Sequence, residues 1–375
     1  MNRITIIGAG FGALTAVRTM RRVNPGIGID LIAPRPTFVY SPGTIWIPTG
    51  LRAPGQLEIP LKRFFQRMRV RYHCGAVTGM EDGGRKILLD DSSVDNDGLI
   101  IASGGSFLDR LPGLEHSFLP CGGVGELTRL RYRLKQLESG TLAFGFAGNP
   151  KEPSAIRGGP VFEFLFGIDT WLRRHKRRDR FELVFFTPAQ APGKRLGGKA
   201  VKMLAREMRE RDIRMRLGET PQRLEADRVV TDQGEFRTDL ILFMPGMTGN
   251  PWFGRTNLPR SPGGLIRADE YCRAEGLEKV YVVGDAGSYA GPEWLPKQAH
   301  MANLQGKAAA RNLCDELEGK SPGHRFKPEL MRIVDMFDKG MLITRSEKSS
   351  RVLPAFIGFH WAKRLFEWNY LRKFR

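Results

Sequence analysis

A strand that runs directly into a glycine turn opens the chain and constrains its fold more than any other feature. The apolar run 4–7 is followed at once by Gly8, Gly10, Phe11, Gly12 and Ala13. This order is a near match to the dinucleotide fingerprint, in which Gly8 makes the tight turn, Gly10 lets the backbone approach a pyrophosphate and Ala13 lets helix pack on strand. The sequence predicts a pyrophosphate at the N-terminus of a helix that begins near Phe11.

The acidic residue that usually binds a ribose is missing from this unit. It is expected about 20 residues beyond the glycine turn, but the second predicted strand, 29–32, is followed by Ala33, Pro34 and Arg35. We therefore expect backbone groups or Arg35 to hold the ribose.

Two later strands end in small residues that belong near the same ligand. The strand at 97–101 leads into Ala102, Ser103 and Gly104, and the strand at 280–283 leads into Gly284 and Asp285. A short acidic side chain at a strand end can accept hydrogen bonds from ligand hydroxyls, which is the role predicted for Asp285.

A helix predicted over 301–313 follows Lys297. Its N-terminal dipole and the ammonium group of Lys297 favour negative charge on a bound ring.

Alternating strand-like and helix-like segments indicate an α/β protein with two Rossmann-like dinucleotide-binding domains. The predicted order is a first part of one domain at 1–111, the second domain at 112–245, the return to the first domain at 246–330, and a C-terminal membrane-associating region at 331–375 that includes a helical segment. The strand at 141–148 continues into a proline-rich stretch, 149–160, instead of a second glycine turn. Proline lacks the N–H that would bind a pyrophosphate, so no nicotinamide site is expected there.

Composition adds a strong positive charge. The 59 Lys and Arg residues against 40 Asp and Glu residues give a net charge of +19, which favours anionic partners. No nucleic-acid-binding motif accompanies the charge, so nucleic acid is not expected. The four cysteines have no metal-ligand or CxxC spacing, so we predict no metal site. No apolar run approaches the roughly 18 residues of a membrane span. Because the sequence enters a predicted strand at once, we expect no signal peptide.

The order of these motifs resembles the sulfide:quinone oxidoreductases, which are related to flavocytochrome c sulfide dehydrogenase and type II NADH dehydrogenase. The resemblance covers nearly the whole chain. It is carried by GAGFGALTA at 8–16, RGGPVFEF at 157–164, LFMPGMTGNP at 242–251, VYVVGDAGS at 280–288, PKQAHMANLQGKAAARNL at 296–313 and HWAKRLFEWNYLRKFR at 360–375. It implies an FAD enzyme that reduces quinone, lies peripherally at the cytoplasmic face of the membrane and has Asp285 at the ribityl chain.

The resemblance also implies three cysteines, of which this chain keeps one. Cys121 falls at the position that several members attach to the flavin, whereas Arg157 and Arg332 stand where the two sulfur-carrying cysteines are usual. Sulfide oxidation needs a disulfide to attack and a thiolate to deliver electrons. Arginine is cationic and not nucleophilic, so ordinary sulfide oxidation is not expected.

Two arginines near a flavin repel each other unless negative charge lies between them. One hypothesis is that Arg157 and Arg332 hold a small anionic electron donor, such as a carboxylate or sulfur oxyanion. The alternative is that both arginines pair with the carboxylates of Glu163 and Asp335 or with solvent. The predicted catalytic set is Cys121, Arg157, Glu163, Lys297 and Arg332.

The C-terminal tail is aromatic and basic. At about 100° per residue, Phe359, Phe366 and Tyr370 form one stripe, and Trp361, Leu365 and Trp368 form another on nearly the opposite side. One of the two stripes is predicted to dock on the body and the other to enter an anionic lipid surface, where basic residues meet headgroups. A helix buried in a dimer or domain contact is the alternative, so a homo-oligomer stays open.

Two other functions stay open at this point. In one, the chain oxidises sulfide after all, with Cys121 working alongside an external sulfur acceptor. In the other, it binds flavin as a structural or sensory protein without turnover.

Overall fold

The computed structural model describes residues 2–375 and contains two five-stranded parallel sheets. The α-helices of this part of the chain are α1 (Phe11–Val23), α2 (Pro54–Leu57), α3 (Lys62–Met68), α4 (Val124–Gln136), α5 (Gly159–Arg174), α6 (Gly198–Glu210), α7 (Ala299–Leu317) and α8 (Ile357–Leu371). Its strands are β1 (Arg3–Ile7), β2 (Gly28–Ala33), β3 (Thr37–Val39), β4 (Glu58–Pro60), β5 (Val70–Cys74), β6 (Val77–Glu81), β7 (Lys86–Leu89), β8 (Ser93–Asp95), β9 (Gly98–Ile101), β10 (Ser106–Phe107), β11 (Ser117–Phe118), β12 (Gly140–Phe146), β13 (Phe181–Thr187), β14 (Ile213–Leu217), β15 (Pro221–Leu224), β16 (Arg228–Thr231), β17 (Gly234–Arg237), β18 (Leu240–Met244), β19 (Met247–Thr248), β20 (Ile266–Ala268), β21 (Val280–Val282), β22 (Gly287–Tyr289), β23 (Glu329–Asp335), β24 (Gly340–Ser346) and β25 (Ser350–Phe356).

The first sheet has the order β21-β9-β1-β2-β5 and is parallel throughout. Its central strands are continuous apolar runs, which is typical of a parallel sheet that is covered on both faces. Strands β1, β9 and β21 end at the same edge, so the glycine turn after β1, the small residues after β9 and the Gly284 turn after β21 converge there. The sequence predicts this convergence correctly.

The second sheet has the order β11-β18-β12-β13-β14 and is also parallel. Helix α5 packs against it, with buried side chains from Val161 to Leu172. The two sheets confirm the predicted α/β Rossmann-type architecture. The predicted boundaries at 111, 245 and 330 stay predictions.

The C-terminal region predicted over 331–375 contains more than a helix. An antiparallel sheet, β23-β24-β25, comes first, and helix α8 begins only at Ile357. The helical segment is therefore confined to the last part of this region, and the sheet before it was not predicted from the sequence. Among residues 2–375, no helix has the length and apolar character needed to cross a bilayer.

Candidate functional site

The glycine turn after β1 leaves room for a charged group at the start of α1. Gly8 adopts a φ of 110°, and a Cβ there would overlap the carbonyl of Ala102, so only glycine fits. No atom lies within 4 Å of where a Cβ of Gly10 would stand. Helix α1 begins at Phe11 without a side-chain cap, so its first amides are free to donate to an anion. These residues fit the pyrophosphate of a dinucleotide.

Helix α1 is held in place by close contact with α7. A Cβ at Gly306 would lie 2.6 Å from the carbonyl oxygen of Gly12, and a Cβ at Gly12 would overlap the side chain of Val283. Ala13 is fully buried beside this contact. Two glycines thus let the helix backbones meet, and sequence reasoning missed Gly306 because its partner lies almost 300 positions earlier.

The small residues after β9 are hydrogen-bonded to the loop that follows β19. Asn250 donates to the Ser103 hydroxyl at 3.1 Å and to the Gly104 carbonyl at 2.8 Å. After β21, the Gly284 amide donates to Gln305 at 2.9 Å. Arg35, in contrast, is exposed and lies outside the cavity described next, so its predicted ribose contact stays a prediction.

A cavity of about 320 Å³ lies between the start of α1, α5, β23, α7 and α8. Its volume is within the range of small-molecule sites, about 300–1,000 Å³. All five predicted catalytic residues line it, although they come from distant parts of the chain. The lining comprises Phe11, Tyr40, Ser41, Pro42, Thr44, Ile45, Pro120, Cys121, Arg157, Pro160, Glu163, Lys297, Gln298, Ala299, His300, Asn303, Met331, Arg332, Ile333, Leu342, Lys363, Phe366, Asn369, Tyr370 and Lys373.

Glu163 is the carboxylate of this cavity and is 3% exposed. Its Oε2 accepts a hydrogen bond from Arg332 Nη2 at 2.9 Å, and its Oε1 accepts one from the Asp335 amide at 3.1 Å. Lys363 of α8 forms an ion pair with the same Oε1. Three donors therefore satisfy this buried charge.

Asp335 lies behind the cavity wall and is fully buried. It accepts hydrogen bonds from His360 at 2.9 Å, from the Trp46 indole at 2.8 Å and from the Phe337 amide at 2.9 Å. Burial alone would raise the pKa of this carboxyl, but the hydrogen bond from His360 and the charges of Lys363 and His360 hold its pKa below the ordinary value.

Arg157 pairs with a carboxylate that the sequence did not connect with it. Its guanidinium forms an ion pair with Asp285, the residue predicted at the ribityl chain, instead of with Glu163 or Asp335. Burial disfavours this cation, but Asp285 and Cys121 raise the pKa of Arg157 above its ordinary value. The expectation that both arginines pair with Glu163 and Asp335 is therefore right for Arg332 with Glu163 and wrong for Arg157.

Cys121 lines the cavity beside Arg157, while Cys74, Cys272 and Cys314 do not line it. Burial raises the pKa of the Cys121 thiol above its ordinary value, although Arg157 acts in the opposite direction. Within residues 2–375 the cavity thus offers one thiol, which is protonated at neutral pH, and no partner for a disulfide.

Lys297 lies at the start of α7, as predicted. Its ammonium group donates to the carbonyl of Gly287 and lies 5.4 Å from the centroid of the Tyr289 ring. Burial lowers the pKa of Lys297 to about 8, against the attraction of Asp285 and Glu152.

Helix α8 docks through polar residues spaced three and four positions apart. Its buried pairs are His360 with Asp335, Lys363 with Glu163, and Glu367 with Arg52. These docked residues were not predicted, because the prediction for this helix rested on its apolar stripes. The spacing of His360, Lys363 and Glu367, three and four positions apart, indicates a polar face that could have been recognised in the sequence.

The outward face of α8 is apolar. Trp361, Leu365 and Trp368 are 57%, 63% and 53% exposed. In the other stripe Tyr370 docks, with its hydroxyl 3.0 Å from Asn303, but Phe366 is 54% exposed at the rim of the cavity. The two predicted stripes therefore do not divide the helix cleanly into one docked and one exposed face.

Known proteins are similar to this chain in sequence. Residues 186–306 match a family model described as pyridine nucleotide-disulphide oxidoreductase. The chain is 23% identical to the type II NADH:quinone oxidoreductase of Mycobacterium tuberculosis, over 93% of this chain and 79% of that protein. It is 21% identical to the sulfide-quinone reductase of Aquifex aeolicus, over 66% of this chain and 59% of that protein.

Solved structures share the fold. The sulfide:quinone oxidoreductase of Aquifex aeolicus matches with a TM-score of 0.88 at 18% identity, covering 100% of this chain and 92% of that chain. The water-forming NADH oxidase of Lactobacillus brevis matches with a TM-score of 0.71 at 15% identity, covering 92% and 76%. The comparisons confirm the predicted resemblance to sulfide:quinone oxidoreductase-like flavoproteins and support FAD as the cofactor.

Proposed function

We propose that this chain, a relative of the sulfide:quinone oxidoreductase-like flavoproteins, is an FAD-dependent oxidoreductase that passes electrons from a small donor to membrane quinone. One observation carries the proposal: Cys121, Arg157, Glu163, Lys297 and Arg332 line a single cavity that reaches Phe11 at the start of α1. The dinucleotide turn and the candidate reaction site are therefore contiguous.

The residues at the start of α1 would hold the pyrophosphate through Gly10 and the free amides of the first helical turn. FAD, when bound, supplies the two-electron chemistry. Lys297 and the N-terminus of α7 would favour negative charge at the ring end of the cavity. Asp285, which pairs with Arg157, would accept hydrogen bonds from the ribityl hydroxyls.

Ordinary sulfide oxidation is not the activity that we propose. It requires two sulfur atoms that alternate between disulfide and thiolate, and the cavity contains Cys121 as its one thiol among the described residues. The alternative, in which Cys121 works with an external sulfur acceptor, predicts quinone reduction by sulfide only when that acceptor is supplied.

The proposed quinone end of the cavity lies beside α8. Tyr40, Phe366 and Tyr370 line this part of the wall, and Phe11 lies 5.2 Å from Tyr370 between ring centroids. Aromatic side chains of this kind suit an apolar ring. The exposed rim position of Phe366 would let a quinone enter the cavity along α8.

The exposed face of α8 is the proposed membrane contact. Aromatic side chains with neighbouring basic residues suit the interface of an anionic bilayer. A triple variant, Trp361→Ser, Leu365→Ser and Trp368→Ser, is expected to stop flotation with vesicles of phosphatidylglycerol. Tyr132→Ser, which changes an exposed aromatic residue on α4, is the matched control, and flotation of the triple variant would contradict the proposal.

Electron transfer to quinone can be tested without knowing the donor. The FAD-loaded protein is photoreduced anaerobically and mixed with a soluble ubiquinone or menaquinone analogue. We expect the flavin absorption to return with the quinone and to return more slowly in Phe366→Ser than in Tyr132→Ser. No acceleration by either quinone would instead favour a structural or sensory flavoprotein.

A further inference from the structure

The cavity carries more positive than negative charge. Its lining contains the cations Arg157, Lys297, Arg332, Lys363 and Lys373, and Glu163 is the one carboxylate among the described lining residues. Opposite charges a few ångströms apart in a partly buried site attract strongly because little water screens them. A site with this excess of cations favours an anionic ligand.

Each of the two arginines has a carboxylate partner, but Glu163 is shared with a second cation, Lys363. Glu163 already accepts from Arg332, Lys363 and the Asp335 amide. Asp285, which does not line the cavity, pairs with Arg157. Each guanidinium therefore has one edge fixed by its own carboxylate, which leaves other N–H groups available. Nε of Arg332 is buried and has no hydrogen-bond partner among the described residues.

The first turn of α5 adds to this positive environment. Gly159 lies so close to Arg332 that a Cβ would overlap the guanidinium. Helix α5 has 16 residues and no side-chain cap at Gly158. The positive end of its dipole therefore points toward the arginines, which makes the ligand-free arrangement unfavourable and an added anion favourable.

We infer that Arg157 and Arg332 together bind a small oxyanion, a carboxylate or a sulfur oxyanion, and that this oxyanion is the electron donor of the proposed enzyme. A carboxylate donor would be a 2-hydroxycarboxylate, which becomes a 2-oxocarboxylate by giving two electrons and two protons to FAD and solvent. A sulfur-oxyanion donor would be sulfite, which takes an oxygen from water to become sulfate and releases two protons and the two electrons that reduce FAD. The planar fork of arginine donates two parallel hydrogen bonds to such a group. Two arginines with fixed edges form a rigid clamp, so little side-chain entropy is lost on binding. The inference rests on the proposed function for the redox role of the ligand, and the binding site itself rests on the cavity.

The test measures binding, with sulfate and acetate as probes. The full-length FAD-loaded protein is titrated with each salt at pH 7 and constant ionic strength, and the flavin absorption spectrum is recorded. We expect a saturable change with at least one of the two ions. Binding of one ion alone supports the clamp and identifies the preferred type of oxyanion.

Variants then assign the site. Arg332→Gln and Arg157→Gln are each expected to weaken binding by about tenfold, because each removes a charge-assisted hydrogen bond. Arg206→Gln on α6, where the arginine is exposed and pairs with Glu210, is expected to bind like the wild type. Arg332→Lys and Arg157→Lys keep the charge without the fork. Both Lys variants should bind the anion more weakly than the wild type. They replace the Gln variants in the test if a Gln variant loses FAD.

Two results would overturn the inference. One is no saturable change with either ion, and the other is unaltered affinity in both the Gln and the Lys variants. Because quinone oxidises photoreduced flavin without any donor, failure of the clamp and failure of the proposed function give different results in the two experiments.

Discussion

His360 Nδ1 on α8 lies 2.9 Å from Asp335 Oδ1 at the end of β23. Because β23 also carries Arg332, this pair connects the C-terminal helix to the proposed anion clamp. The indole of Trp46 donates to the other oxygen of Asp335, so three distant segments of the chain meet at one buried carboxylate.

Replacing Asp335 is expected to destabilise the protein. In Asp335→Asn an amide NH2 faces one of the former donors, His360, Trp46 or the Phe337 amide, which then lacks an acceptor. An unsatisfied buried group of this kind costs about 1–3 kcal/mol. Urea unfolding followed by tryptophan fluorescence measures the loss. Asp227→Asn, at an exposed carboxylate, should change stability by less than about 0.5 kcal/mol, and an equal effect of the two variants would refute the prediction.

Acid should weaken the same contact. The folded-state pKa of Asp335 lies below its ordinary value, whereas the unfolded chain has a pKa of about 3.9. The contribution of Asp335 to stability is therefore fully present above pH 5 and is lost as pH falls toward and through the folded pKa. Thermal midpoints between pH 3 and 7 should fall less steeply in Asp335→Asn than in the wild type. Parallel curves would show that other carboxylates account for the acid sensitivity.

Lys297 should show a dependence of the same sign, but in the alkaline range. Its pKa is lowered to about 8, against about 10.4 in an unfolded chain, so the unfolded chain binds this proton more tightly. Stability from this group therefore rises as pH increases from about 8 toward 10. In FAD-free protein, the thermal unfolding midpoint of the wild type minus that of Lys297→Met should increase between pH 7 and 9.5. A constant difference would contradict the assignment.

The contact between Gly12 and Gly306 should be sensitive to a single methyl group. Gly306→Ala places a Cβ 2.6 Å from the Gly12 carbonyl, so α1 must move and the pyrophosphate site moves with it. We expect a stability loss of about 1–3 kcal/mol and weaker FAD binding, measured by flavin fluorescence. Gly125→Ala on α4 meets no atom within 4 Å and should be neutral or stabilising. Unchanged FAD affinity in Gly306→Ala would show that the helices adjust without cost.

Much of the first sheet was predictable because its signals are local. The strand before Gly8 and the strand before Gly284 each carry their own turn, and parallel strands bring their carboxyl ends to one edge. The resemblance then placed Cys121, Arg157, Glu163, Lys297 and Arg332, all of which line the cavity.

The missed features depend on contacts between distant residues. Nothing near Arg157 in the sequence indicates Asp285 as its partner, and the polar docking of α8 requires Asp335, Glu163 and Arg52 to be in place first. An aromatic helix is ordinarily expected to bury its rings. In α8, side chains that pair with buried carboxylates occupy the docked face, and Phe366 is left exposed.

The edge strand β21 has a consequence for the order of folding. Val282 of β21 pairs with Ile101 of β9. The segment of chain between these two residues contains all the strands of the second sheet, from Ser117 to Met244. Closing so long a loop is slow, because its entropy cost comes before any contact is gained. Refolding should therefore be biphasic, with the second sheet forming first and the nucleotide edge completed last.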